Sequence, residues 1–142
     1  MENEPFVIER TYNAPAAKVW EALTDRDQMA QWYFNLEAFK PEVGFVFEFG
    51  GGTEEKNYLH RCEITEVIPG KKLTHSWEYV GYPGKSFVTW ELFDEGDKTT
   101  VKLTHAGLET FDADNKDFAK SNFAMGWTDI VGRSLKAYVE EK

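Results

Sequence analysis

The sequence predicts an α+β domain in the order β-α-α-β6-α. A seven-stranded antiparallel sheet is covered on its apolar face by one long C-terminal helix. Three observations carry this expectation. Residues 36–106 fall into segments that alternate apolar and polar with period two. Pro69-Gly70 and Gly96-Asp97 punctuate them as tight turns, so the strands they join run antiparallel. Residues 114–142 then switch to helical spacing, and no other segment is long enough to cover one apolar face of such a sheet.

Taken in order, 5-PFVIERTY-12 opens as a strand with Phe6, Ile8 and Tyr12 on one side. Asn13 or Ala14 caps the first helix and Pro15 sits in its first turn, where a missing N–H costs nothing. Ala16, Val19, Trp20 and Leu23 follow at helical spacing, so Trp20 packs that helix onto the end of the sheet. Thr24 or Asp25 restarts the chain into a second short helix carrying Met29 and Trp32. The six further strands are 36–40, 44–50, 57–68, 71–79, 86–93 and 98–106. The run 50-GGGT-53 lacks the ending of a phosphate loop and reads as a flexible turn at the cavity mouth. The acids of 54-EE-55 and 94-DEGD-97 fall at solvated turns. The closing helix shows a stripe of Phe123, Trp127, Ile130, Val131 and Tyr138, opened by acidic residues that suit a helix N-terminus.

Bulk properties narrow the function classes. A chain of 142 residues fits one domain, 1–142, and buries about two-thirds of the surface it exposes when unfolded. It is 42% hydrophobic and 15% aromatic, which marks a folded protein. A net charge of −9 without a basic cluster argues against nucleic acid and against an anionic membrane surface. The one cysteine, Cys62, fits a reducing compartment. There is no signal-peptide pattern and no apolar run long enough to span a bilayer, so a cytoplasmic location is expected. The expected oligomeric state is a monomer or weak dimer.

Strand parity separates the two faces of the sheet. The less charged rows are Phe45, Phe47 and Phe49; Tyr58, His60, Cys62 and Ile64; Leu73, His75, Trp77 and Tyr79; Val88, Trp90 and Leu92; and Val101, Leu103 and His105. With two-residue turns, Cys62 faces Trp77, His60 faces Tyr79, Ile64 faces His75, Trp90 faces Leu103 and Val88 faces His105. All three histidines of the chain point inward on this reading. A sealed core rarely holds three imidazoles, because each needs partners. A concave apolar surface with a few polar handles is how a small-molecule pocket is built. The other reading places the histidines at strand ends, bonded to backbone, around a filled core. Cys62→Phe is expected to be tolerated, because an open pocket has room for the ring.

The run Ala14-Pro15, then 19-VWEALTD-25 and Trp32, resembles the start of domains related to the activator of the Hsp90 ATPase, within the START-like or Bet v 1-like (SRPBCC) superfamily. The closing 126-GWTDIVGRSLKAYVEE-141 is similar to the last helix of that family. The resemblance covers essentially the whole chain and implies a helix-grip fold, a curved seven-stranded sheet wrapped around the long C-terminal helix with an internal cavity between them. Relatives include lipid and hormone binders, polyketide cyclases and aromatases, and chaperone cofactors, so it does not by itself name an activity.

The expected function is therefore binding of a small hydrophobic ligand, lipid-like or aromatic and polyketide-like. The candidate lining is Trp32, Phe45, Phe47, His60, Cys62, His75, Trp77, Tyr79, Val88, Trp90, Leu103, His105, Phe123, Trp127 and Ile130. The alternatives are a cyclase- or aromatase-type enzyme using a cavity His or Tyr79, and a chaperone cofactor or stress-response protein with an Hsp90-type partner. No cofactor, no metal site and no catalytic residue is expected. Cys62, facing Trp77 in an apolar setting, reads as an inert thiol.

Overall fold

A computed structural model describes residues 5–32, 38–52, 57–111, 118 and 120–141. Among them the chain forms β1 (Phe6–Tyr12), α1 (Ala16–Thr24), α2 (Arg26–Trp32), β2 (Val46–Gly52), β3 (Asn57–Ile68), β4 (Lys72–Tyr79), β5 (Ser86–Asp94) and β6 (Thr99–Ala106). A short 3₁₀ turn, Leu108–Thr110, follows. The closing helix runs as α3 (Lys120–Asp129), a π-helical turn (Ile130–Ser134) and α4 (Leu135–Glu141). The strands make one antiparallel sheet in the order β1-β6-β5-β4-β3-β2.

The described residues hold six strands where the alternation predicts seven. Ala38–Lys40 pairs with no strand. Pro41 follows it and cannot donate to a ladder. Phe39 packs inward instead, 5.2 Å from the ring of Phe47. Residues 36 and 37, the start of that predicted strand, lie outside the described residues, as does most of 114–119 at the predicted start of the closing helix. Gly51 and Gly52 are also a correction: they continue β2 beyond Gly50, opposite Tyr58 and Asn57, rather than forming a turn. Pro15 caps α1 in extended conformation, one position earlier in role than predicted. Asp25 starts α2 as expected, its Oδ1 accepting from the Asp27 and Gln28 backbone N–H groups at 2.9 and 3.3 Å.

The inward rows are observed. His60 faces Tyr79, Ile64 faces His75, Trp90 faces Leu103 and Val88 faces His105. The β3–β4 turn, however, is one residue longer than assumed, with Ile68 opposite Lys72. A bulge between Ile64 and Glu66 absorbs the extra residue. Without it every side chain of β3 beyond the turn would face the wrong side.

The closing helix buries Phe123, Trp127, Val131, Leu135 and Val139. Their spacing is four residues throughout. At 100° per residue, each step of four turns a regular α-helix about 40° too far, so the row would rotate away from the sheet by about 160°. The π turn, in which the Leu135 N–H reaches back to the Ile130 carbonyl, takes up one extra residue and realigns the row. It also explains why Val139 is fully buried while Tyr138, placed on the stripe from sequence, is only partly so. The turn is held from both sides. The Tyr12 hydroxyl donates to the Val131 carbonyl at 2.5 Å, and Ser134 Oγ donates to the Trp32 carbonyl at 2.6 Å.

Candidate functional site

Between the sheet and the helices lies a small void lined by Leu23 and Met29 and Trp32 of α1 and α2, Phe39, Phe47 of β2, Leu73 and His75 of β4, and Trp90 of β5. Its volume is about 10 Å³, close to the least that holds one water molecule. Alternation explains the sheet side of this lining, since Phe47, Leu73, His75 and Trp90 all occupy inward positions. Trp32 is locked in place, its indole N–H donating to the Ala22 carbonyl at 2.9 Å and its ring edge-on to Trp90 at 6.1 Å.

His75 is 3% exposed and meets only rings and aliphatic groups in this void. Its Nδ1 lies 2.9 Å from the Ser76 carbonyl. A carbonyl can only accept, so Nδ1 carries the proton and Nε2 is left as an acceptor. Burial depresses the basicity of this ring to a pKa of about 4, against a weaker opposing pull from the Ser76 hydrogen bond.

His105 is the contrasting case. The Trp127 indole N–H donates to Nδ1 at 2.9 Å, so Nε2 bears the hydrogen and donates to Ser86 Oγ at 2.7 Å. Ser86 Oγ in turn donates to the Trp77 carbonyl at 3.2 Å. Both nitrogens are used, and burial, with repulsion from His75 second, holds the pKa near 3. This ring is a neutral structural link between β5, β6 and the closing helix.

His60 lies in the other half of the interior. Its Nδ1 is 3.1 Å from the Tyr58 carbonyl and 3.3 Å from that of Phe49. The ring stacks on Phe49 at 4.6 Å, and burial lowers its pKa. Tyr79 lies beside it, accepting from the Trp77 indole N–H at 3.0 Å and stacking on Phe118 at 4.4 Å. Trp32, Trp90, Trp127 and Trp77 form a continuous edge-to-face chain through the middle, at 6.1, 5.8 and 5.4 Å.

Of the residues expected to line a cavity, Trp32, Phe47, His75 and Trp90 therefore meet at the void. Trp77, Tyr79, Phe123, Trp127, His60 and His105 form the packed aromatic body next to it. Cys62, Val88 and Leu103 are fully buried away from the void, and burial pushes the Cys62 thiol well up, with the Glu78 charge adding to it. Ile130 and Phe45 are only partly buried. Leu23, Met29, Phe39 and Leu73 line the void without having been singled out. Leu73 was on an inward row. Phe39 was hidden because its segment reads as a strand.

Two larger hollows lie on the surface. One of about 480 Å³ is bordered by Phe45, Val46, Leu59 and Arg61 on the outer side of β2 and β3. The other, about 630 Å³, runs between Arg10 and the outer face of the closing helix at Met125, Asp129 and Arg133. No group of three or more potential metal ligands clusters among the described residues. No helix among them is long and apolar enough to cross a membrane.

Solved structures share this architecture. DynU16, from the dynemicin biosynthetic locus, superposes with a TM-score of 0.77 at 26% identity, over 96% of this chain and 47% of its own. This chain thus spans about half the length of that protein. MLL2253 from Mesorhizobium loti gives 0.81 at 25% identity over 98% of both chains. BH1534 from Bacillus halodurans gives 0.73 at 26%, over 96% of each. No curated protein matches the chain. The model of one family, described as activator of Hsp90 ATPase homolog 1-like protein, matches residues 13–140. Those residues take in both short helices, β2 to β6 and the helix that closes the grip, so the chain belongs to that family and has its helix-grip fold.

Proposed function

We propose that this protein binds a small, largely hydrophobic molecule, lipid-like or aromatic and polyketide-like, between the sheet and helices α1 and α2 rather than directly under the C-terminal helix, where the sequence places the cavity. The observation that carries this reading is the void at Trp32, Phe47, His75 and Trp90, an apolar concavity with one imidazole acceptor on its wall. Its volume of about 10 Å³ means that a ligand enters by moving side chains. Met29 and Phe39 are the two that can yield. Met29 is unbranched and adapts its shape easily. Phe39 is half-buried on a stretch with no ladder hydrogen bonds to break.

Binding is favoured over acid–base catalysis by the imidazoles themselves. His75 and His105, with pKa values of about 4 and 3, are weak bases at neutral pH, and both nitrogens of His105 are engaged. The test is native mass spectrometry of freshly purified protein, followed by thermal shift with fatty acids, sterols, flavonoids and polyketides. A ligand that co-purifies, or one class that raises the melting temperature at saturating concentration, is expected. A panel with no stabilising member, and no retained ligand, contradicts the reading.

A further inference from the structure

We infer that the molecule bound here is uncharged and carries a hydroxyl or N–H donor that hydrogen-bonds to Nε2 of His75; this rests on the binding role proposed above. The Ser76 carbonyl fixes the proton on Nδ1, so Nε2 presents a lone pair. Among the described residues Nε2 has no hydrogen-bond partner, although the ring is only 3% exposed. Two other N–H groups belong to the lining: that of Trp32 is taken by the Ala22 carbonyl at 2.9 Å, and that of Trp90 makes no hydrogen bond to His75. Leu23, Met29, Phe47 and Leu73 offer no donor.

An acceptor buried in this way calls for a donor from outside the chain. A water molecule alone would meet Nε2 and at most the Trp90 indole N–H here, the low end of the two to four partners of a well-held buried water. A ligand donor attached to an apolar body satisfies the nitrogen and the aromatic walls together. Displacing so poorly held a water favours binding. The same lining contains no Lys or Arg, so a carboxylate or phosphate would enter as an unpaired buried charge. The low basicity of the ring, with a pKa of about 4, means that it would not supply the missing positive charge at neutral pH. Phenols and alcohols fit this site, and fatty-acid anions do not.

The test compares 2-naphthol, naphthalene and 2-naphthoate, titrated near neutral pH into the wild-type protein and into His75→Phe, which keeps a ring and removes the acceptor. In the wild type 2-naphthol should bind about fivefold tighter than naphthalene, the size of one net hydrogen bond, and 2-naphthoate should bind most weakly. In His75→Phe the advantage of naphthol over naphthalene should vanish while naphthalene binding persists. The ¹⁵N resonance of His75 Nε2 in the wild type should move upfield with 2-naphthol and stay still with naphthalene, a readout that needs no variant to fold. Equal binding of naphthol and naphthalene, a still Nε2 resonance, or a naphthol preference that survives in His75→Phe overturns the donor inference alone. Failure of all three compounds to bind overturns it together with the binding role.

Discussion

The indole N–H of Trp127 donates to His105 Nδ1 at 2.9 Å, which joins the closing helix to β6 through one buried hydrogen bond. The bond dictates the tautomer of His105 and through it the orientation of Ser86 against the Trp77 carbonyl. A network in which every member is satisfied rigidifies the wall beside the void.

Trp127→Phe keeps a ring in the row but strands His105 Nδ1 without a donor. It should lower stability by about 1–3 kcal/mol. Urea denaturation of the variant and of Trp127→Phe combined with His105→Phe checks this. The double variant should lose less than the sum of the two single changes, because the orphaned acceptor is gone.

Acid should destabilise the protein through its imidazoles. In the unfolded chain they titrate near pH 6.5, whereas folding lowers His75 to about 4 and His105 to about 3. The folded state thus binds fewer protons than the unfolded state between those values. Stability is full above about pH 6.5 and falls as the pH drops towards 4 and 3. His75 alone should account for about 3 kcal/mol by the bottom of its range. Urea midpoints measured from pH 7 down to pH 5 should fall, and fall less steeply in His75→Phe.

Cys62→Phe, expected from the sequence to be tolerated, should instead be costly. The thiol is fully buried and outside the lining of the void, so an added ring overpacks β3 against its neighbours. The expected loss is about 1–3 kcal/mol, read as a drop in melting temperature. A neutral Cys62→Phe would show an open hollow at this position.

Phe39→Ala should widen the void next to Phe47 and ease ligand entry. Affinity for a wide ligand such as a flavonoid should rise several-fold, and its association rate should rise with it, as measured by tryptophan fluorescence. Unchanged affinity and rate would place the entry elsewhere.

Much of the architecture was legible because period-two patterning is a strong signal wherever one face of a sheet is buried. It located His60, His75 and His105 on the inner face and gave the pairs Trp90–Leu103 and Val88–His105. It could not show the bulge after Ile64, because the true length of the Pro69-Gly70 turn is not written in the alternation. The glycines of β2 were misread because glycine is rare in strands and common in turns. The π turn was present in the spacing of Phe123, Trp127, Val131, Leu135 and Val139. A 3.6-residue template draws the eye to Tyr138 instead. The degree of filling was the least legible feature. Parity tells which face a tryptophan occupies, but not whether Trp127 from the helix and Trp77 from the sheet meet at 5.4 Å and close the space between them.

The central claim is that a ligand enters between the sheet and the helices α1 and α2, beside His75. Chemical-shift mapping by methyl and indole NMR, with a ligand from the thermal-shift panel, tests it most directly. The signals of Leu23, Met29, Leu73 and the Trp90 indole should move together and saturate together. Saturable shifts confined to Val46 and Leu59, or to Met125, with those four unmoved, would contradict it and place the binding on the outer surface.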